Sequence, residues 1–485
     1  MNNISRRNFL TRTALATAAL NLPARSWSQV AGANNDIRIA VVGFNSRGKE
    51  HINAYTKLKG VRLVALCDVD KNVLNKEVET LKAKNITVES YTDIRKLLAN
   101  KNIDAISVAT PNHWHALAAI WGIQSGKDVY VEKPVSHNIW EGRQIVAAAR
   151  KYLKIVQTGT QARSSTAIQE AVVWVQQGHL GKIKLARGLC YKPRASIGKS
   201  SGPQVVPESI DYDLWCGPAP IDPPRRNTSK GTVHYDWHWF WNYGAGDLGN
   251  QGVHQMDVAR WFLGETTAAP HVFSVGGRLG YEDDAETPNT LMAYHDYARA
   301  PLVFEVRGLP EKTGSTKMDR FEGAQIGVII ECDGGRVVVT DHYNSATAYD
   351  NDGKEIKKFE GDTSHFANFL KAVRSREISD LNADILEGHI SASLCHTANI
   401  SYRTGKQHPP DEIREQIKAS SEATATFGRM AEHLAANGVD LEKTKATLGM
   451  HLKYNPNIEQ FVQNKAANAL TTRKYRAPFV VPAKV

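Results

Sequence analysis

Lys133, in Glu132-Lys133-Pro134, directly follows the apolar run Asp128–Val131. If that run is a strand of a parallel sheet, the lysine stands at the carboxyl-end crevice where such sheets bind ligands, and Pro134 stiffens its backbone. There a lysine polarises a developing carbonyl oxygen as a cation or exchanges a proton as an amine. The alternative is a solvated surface lysine. Asn250 and His254 are four apart in Gly249-Asn250-Gln-Gly-Val-His254, which puts both on one face of a helix. The Asn250 amide bonds a hydroxyl but cannot take its proton, so a base must be His254 or Lys133. Asp257, one turn further, either orients the imidazole or makes a helix-surface ion pair. The block His234-Tyr-Asp-Trp-His238-Trp239-Phe-Trp241-Asn-Tyr-Gly is unusually aromatic. It reads as a packed loop or as a sugar platform, with rings against C–H faces and His or Asp on hydroxyls. A zinc site from His234, His238 and His254 is disfavoured, because no supporting acid stands at suitable spacing.

A second group of residues could hold a dinucleotide. Asp36–Val42 is apolar and rich in β-branched residues, and Gly43-Phe-Asn45-Ser46-Arg47-Gly48 follows it. This is the glycine-rich turn between strand and helix that admits a pyrophosphate, with Asn45 in place of the middle glycine. Asparagine tolerates left-handed backbone angles, so the turn survives the exchange. Val61–Asp68 reads as a second strand, and its terminal acid stands at the distance beyond Gly48 that the dinucleotide fingerprint requires. A carboxylate there takes ribose hydroxyls and repels a 2′-phosphate, which favours NAD over NADP. Hydride transfer from a secondary alcohol needs a base for the hydroxyl proton and a group that polarises the forming carbonyl.

These residues demand a particular scaffold. Strand-like runs at 36–43, 61–68, 103–109 and 128–131 alternate with helical patterns at 48–58, 113–125 and 138–152. That alternation predicts a parallel sheet with crossover helices. After residue 160 strands dominate, at 182–191, 271–280, 302–309, 324–332 and 336–341, with Gly334-Gly335 marking a hairpin. Helical patterns at 365–374 and 385–402 are expected to return and cover this second sheet.

Ala109-Thr110-Pro-Asn112-His-Trp-His115, Glu132-Lys133-Pro134, Thr158-Gly-Thr-Gln161-Ala-Arg163 and Gly249–His254 resemble the glucose–fructose oxidoreductase / inositol dehydrogenase (Gfo/Idh/MocA) family. The resemblance runs over nearly the whole chain beyond its N-terminal segment. It implies an α/β fold: an N-terminal Rossmann domain and a C-terminal α/β domain. The second domain's large open antiparallel sheet forms the substrate cleft and an oligomer face, giving a dimer or tetramer. It implies Lys133 and His254 as the active-site pair, with His254 expected to take the hydroxyl proton and Lys133 to polarise the reacting oxygen, and Thr110, Asn112, His115, Glu132 and Gln161 near the cofactor. Arg163, His234, His238, Trp239, Asn250, His254 and Asp257 are then expected on the substrate side. The family writes an acid where Asn250 stands. For His113 and His115 the alternative is helix capping and packing. Domains are expected at 34–160 and 161–405, with 406–485 an extension packing on both.

The chain's bulk properties narrow the field. Its 485 residues suit two or three domains. The formal charge is +10, but Arg6, Arg7, Arg12 and Arg25 all precede Ser28 with no acid among them, leaving +6 for the rest of the chain. No run of five basic residues exists, which excludes a nucleic-acid groove, and no apolar stretch reaches the ~18 residues of a membrane span. Five dispersed cysteines give no disulfide framework or zinc spacing. Ser5-Arg6-Arg7-Asn8-Phe9-Leu10, an alanine-rich stretch and a small-residue site near Ser28 resemble a twin-arginine export signal over residues 1–30. That route moves folded proteins, which suits an enzyme that loads a soluble cofactor before reaching the periplasm. Three activities fit: a sugar oxidoreductase with retained NAD, an NAD-dependent glycoside-cleaving enzyme, and a non-catalytic sugar-binding module.

Overall fold

A computed structural model describes residues 36–225 and 231–485; the paired-arginine segment lies outside them. Six parallel strands form the first sheet: β1 (Ile37–Val42), β2 (Val61–Cys67), β3 (Glu89–Tyr91), β4 (Ala105–Val108), β5 (Asp128–Val131) and β6 (Val156–Thr158). Their order is β3-β2-β1-β4-β5-β6, the doubly wound arrangement with its switch point between β1 and β4. β1, β4 and β5 are almost wholly buried, as strands covered by helices on both faces must be. Helix Asn112–Gln124 is buried on nearly every side, because Phe479 and Val481 from the chain's end join Trp114 on its outer face.

The second sheet runs through β7 (Ile183–Tyr191), β8 (His271–Gly277), β9 (Thr290–Asp296), β10 (Leu302–Arg307), β11 (Ile326–Cys332), β12 (Gly335–Val339), β13 (Ser345–Tyr349) and β14 (Glu355–Glu360). It continues into β15 (Lys406–His408) and β16 (Ala446–Leu448). The order is β14-β13-β12-β11-β7-β10-β9-β8-β16-β15. Most pairs are antiparallel, but β7 and β10 run parallel, so the sheet is mixed. Asp333-Gly334 makes the tight turn between β11 and β12, with Gly335 at φ +143°.

The two expected covering helices divide. Helix His365–Ser375 leaves the second sheet: Phe369, Leu370 and Ala372 pack with Ile39, Val41 and Tyr130 of the first. Helix Ile385–Arg403 lies between the domains, touching both β6 and β8. The segment after 405 packs on both domains: β15 and β16 extend the second sheet, while Phe479 and Val481 join the core of the first. Helices Pro410–Ile417 and Ser421–Ala436 then set Ile413, Phe427 and Leu434 against Phe273, Val275 and Met292. The outer face is therefore covered by its own chain: Leu185, Arg187, Leu189 and Tyr191 of β7 are each at most 1% exposed. Towards the other edge this cover stops: Ser345, Thr347 and Tyr349 of β13 are half-buried and β14 is largely exposed. Among the described residues no helix is long and apolar enough to cross a membrane.

Candidate active site

One cleft runs from the carboxyl ends of β1 and β2 to those of β4 and β5 and is roofed by the second domain. At its first end the chain turns sharply at Gly43, φ +77°, where a Cβ would meet Thr110 Cα and N at 2.8 Å. Gly48 opens helix Gly48–Tyr55 against the Gly43 carbonyl, where a Cβ would sit 2.1 Å from the oxygen. Both positions require glycine. Asn45 takes no positive φ, so the missing middle glycine needs no left-handed asparagine. Gly43, Asn45, Ser46 and Arg47 line the cleft at the helix N-terminus, which favours an anion.

Asp68 closes this end. Its carboxylate accepts from Phe44 N at 3.1 Å and Asp70 N at 3.0 Å, and burial raises its pKa. Asp70 lines the same wall and pairs with His234 Nε2 at 3.1 Å. Two acids beside a glycine turn fit a ribose and oppose a 2′-phosphate. The chain's own residues thus fit an NAD: turn, helix N-terminus, acid and an open path to Lys133.

At the other end Lys133 is half-buried, and its Nζ donates to the Asn250 backbone carbonyl at 2.5 Å. Desolvation lowers its pKa to about 8, with Glu132 opposing the shift. Asn250 lies in a π-helical turn, Leu248–Gly252, that leads into helix Val253–Leu263. Such turns expose carbonyls that an α-helix would occupy. Glu132 is committed elsewhere, to Arg47 Nε and His51 Nε2 at 3.0 Å each. Burial opposes its ionisation, but the nearby Arg47 cation holds its pKa well below the usual carboxylate range.

His254 is half-buried behind this point and outside the cleft lining. Among the described residues its Nδ1 has no hydrogen-bond partner, and desolvation, aided by the Lys133 charge, lowers its pKa to about 3. It is therefore a neutral ring that resists a proton, whereas Lys133 titrates near neutrality, where proton transfer is efficient. Of the two candidate bases, Lys133 lines the cleft and His254 does not.

Other expected residues divide. His234, Tyr235, Trp237 and His238 line the cleft, with Trp237 stacked on His238 at 3.6 Å. Trp239 does not: it is buried under the Arg194 guanidinium at 4.8 Å. Thr110, Asn112 and His115 line the wall. The ring nitrogens of His115 face the Pro134 and Thr110 carbonyls at 2.6 and 2.8 Å, which is the packing alternative. Gln161 Nε2 donates to Glu132 Oε1 at 3.1 Å and stands outside the lining. Arg163 and Asp257 face each other, Nε to Oδ2 at 2.8 Å, in a buried cluster with Ser391 and Arg260. Asp257 therefore neither orients His254 nor meets a ligand, and Arg163 is spent on it. Sequence reading missed Lys192, Leu214 and Trp215, all in the lining. Lys192 follows a strand end, and the other two sit on the short helix Tyr212–Cys216; no recurrent spacing marks any of them.

Residues 37–160 match the model for an oxidoreductase family, NAD-binding Rossmann fold, and residues 168–308 match the same family's C-terminal alpha/beta domain. Together the two matches span more than half of the chain, and the protein belongs to the Gfo/Idh/MocA oxidoreductase family, with an NAD-binding first domain. A glycosyl hydrolase family 109 protein of Shewanella baltica is 32% identical over 177 residues, 32% of this chain and 39% of the relative. An alpha-N-acetylgalactosaminidase of Shewanella oneidensis matches with the same identity and coverage. The chain thus spans about two fifths of the length of these relatives. The crystal structure of the WlbA dehydrogenase from Bordetella pertussis in complex with NADH and UDP-GlcNAcA superposes with a TM-score of 0.53 at 20% identity, over 74% of this chain and 94% of that one. That likeness concerns the fold alone.

Proposed function

We propose that this protein uses bound NAD to oxidise, or in reverse to reduce, a secondary hydroxyl of a sugar or glycoside. The observation that carries this reading is Lys133: a half-buried amine, held by a single backbone carbonyl, in the same cleft as the glycine turn. Gly43, Asn45, Ser46, Arg47 and Gly48 hold the pyrophosphate side, and Asp68 with Asp70 the adenine-side ribose. NAD, when bound, supplies the hydride acceptor. Lys133 takes the hydroxyl proton at Nζ, and the Asn250 carbonyl keeps that nitrogen in place. Trp237 offers an apolar ring face, and neutral His238 and the Asn250 amide offer hydrogen bonds to hydroxyls.

A second reading, redox-neutral glycoside cleavage, is favoured by relatives that are named glycosyl hydrolases. One experiment separates the two. Denaturing the purified protein should release NAD, and incubation of the holoprotein with glycosides should then give a keto-glycoside if the reaction is net oxidation. Free sugar without keto product would establish cleavage; neither product, from a protein that carries NAD, would contradict both.

We further propose export to the periplasm, supported by Arg6-Arg7 and the apolar stretch after them. Replacing both arginines by lysine should leave uncleaved precursor in the cytoplasm. Normal periplasmic recovery of that variant would refute it.

A further inference from the structure

The second domain gives the cleft one charged side chain that no other group neutralises. Lys192, immediately after β7, lines the cleft and is half-buried. Its backbone N–H is fixed to the Arg307 carbonyl at 3.1 Å. Among the described residues its ammonium makes no hydrogen bond or ion pair, unlike Arg194 two positions on, which is bound to Asp247. The carboxylates that line the cleft, Asp68, Asp70, Asp93 and Glu132, all come from the first domain and all have partners. Lys192 shares the cleft lining with Lys133, His238 and Asn250, and its charge helps lower the pKa of Lys133 and of His238. The remaining wall there, Tyr235, Trp237, His238 and Asn250, carries no acid. Two lysines thus line one cleft whose carboxylates are all engaged, and one of them, Lys133, is needed with its proton off during oxidation. A neutral sugar leaves the Lys192 cation partly desolvated and unpaired, which is unfavourable; an anionic substituent pairs it.

We propose that Lys192 selects a sugar bearing an anionic substituent, a carboxylate or a sulfate ester, close to the hydroxyl that reacts. This rests on the oxidoreductase reading of the same cleft and adds the substrate class. A strand-end lysine anchored through its own backbone places the anion on the second-domain side, opposite the dinucleotide's phosphates, so the two negative groups do not compete for one cation.

The test uses holoprotein with excess NAD as the oxidant and, as substrates, D-glucuronate and D-galacturonate, their neutral counterparts glucose and galactose, and galactose 6-sulfate. The expected result is that the acidic sugars exceed the neutral ones in kcat/KM by ~10- to 100-fold, the range of one charge-assisted hydrogen bond. Lys192→Met should collapse that ratio towards one, mainly through KM, and Lys192→Arg should restore much of it. The uronates and the sulfate ester show which anion is read. Equal use of acidic and neutral sugars by the wild type, or an unchanged ratio in Lys192→Met, overturns the proposal and leaves the oxidoreductase reading standing. If none of these free sugars is turned over, the oxidoreductase reading is left to the glycosides, and equilibrium binding decides on Lys192. Glucuronate binding that weakens in Lys192→Met then supports it, and equal binding in both proteins overturns it.

Discussion

Replacing Lys133 by methionine should lower sugar oxidation by roughly 10²- to 10⁴-fold, the usual contribution of a single acid–base group. The loss follows from where the amine stands. It is partly withdrawn from water, it keeps one fixed acceptor in the Asn250 carbonyl, and its pKa of about 8 leaves a usable fraction of free amine near neutral pH. Lys133→Arg separates the two chemistries open to this position. Arginine keeps the cation but does not deprotonate, so it rescues a polarising role and fails in a proton-transfer role. The account predicts failure. The pH profile gives the same answer with a sign. The folded pKa lies below the ordinary 10.5, so the neutral amine accumulates as pH rises through about 8, and the oxidation rate should rise with it. A rate that falls over this range would return Lys133 to the polarising role. Asn250→Asp adds a negative charge on the residue whose backbone carbonyl holds the amine, favours the ammonium, and should move the same rise to higher pH. His254→Ala should cost less than Lys133→Met, since its ring is neutral and off the cleft lining.

Arg163→Met should destabilise the fold by about 3–5 kcal/mol, the cost of leaving a buried charge without its main partner. Asp257 is fully buried, and its two oxygens accept from Arg163 at 2.8–3.1 Å. Ser391 donates to one of them at 2.6 Å and Arg260 stands at 3.6 Å, neither replacing the lost guanidinium. The cluster joins the turn after β6 to helix Val253–Leu263 and helix Ile385–Arg403, so its loss loosens the domain junction. Denaturant unfolding measures the effect, and Arg163→Met/Asp257→Leu should recover part of it, because no unpaired charge remains. A single variant with normal stability and a raised KM would instead place Arg163 on the substrate.

The first domain was legible because its signals are local. A β-branched run, a glycine turn and an acid at the end of the next strand each fix a backbone feature within a single strand–turn–helix–strand unit. Gly43 and Gly48 meet steric demands that no other residue satisfies. The second domain was harder to read because its pairings are distant. β7 joins β10 in parallel and β11 antiparallel, both far along the chain from it. β15 and β16, later still in the chain, carry nothing in their own composition that assigns them to that sheet. The site residues divide on the same ground. Lys133 follows a strand end, which periodicity locates. Asp257 and Arg163 looked functional because of their spacing and were claimed by each other, a contact that no one-dimensional pattern records. Asn250 and His254 are four apart as a regular helix would need, yet a π-turn intervenes, and it is the Asn250 carbonyl that meets Lys133.

Both readings of the activity share one event, reduction of the bound nicotinamide by a sugar hydroxyl with Lys133 as proton acceptor. The most direct measurement is therefore a single-turnover one: NAD-loaded protein is mixed with an excess of uronates, neutral sugars or glycosides, and the near-ultraviolet absorbance of reduced nicotinamide is followed. The account predicts a rise with at least one of these sugars in the wild type, faster as pH passes about 8, and a rise slower by orders of magnitude in Lys133→Met. Absence of any rise from a protein shown to hold NAD, or an equal rise in the two proteins, would contradict it.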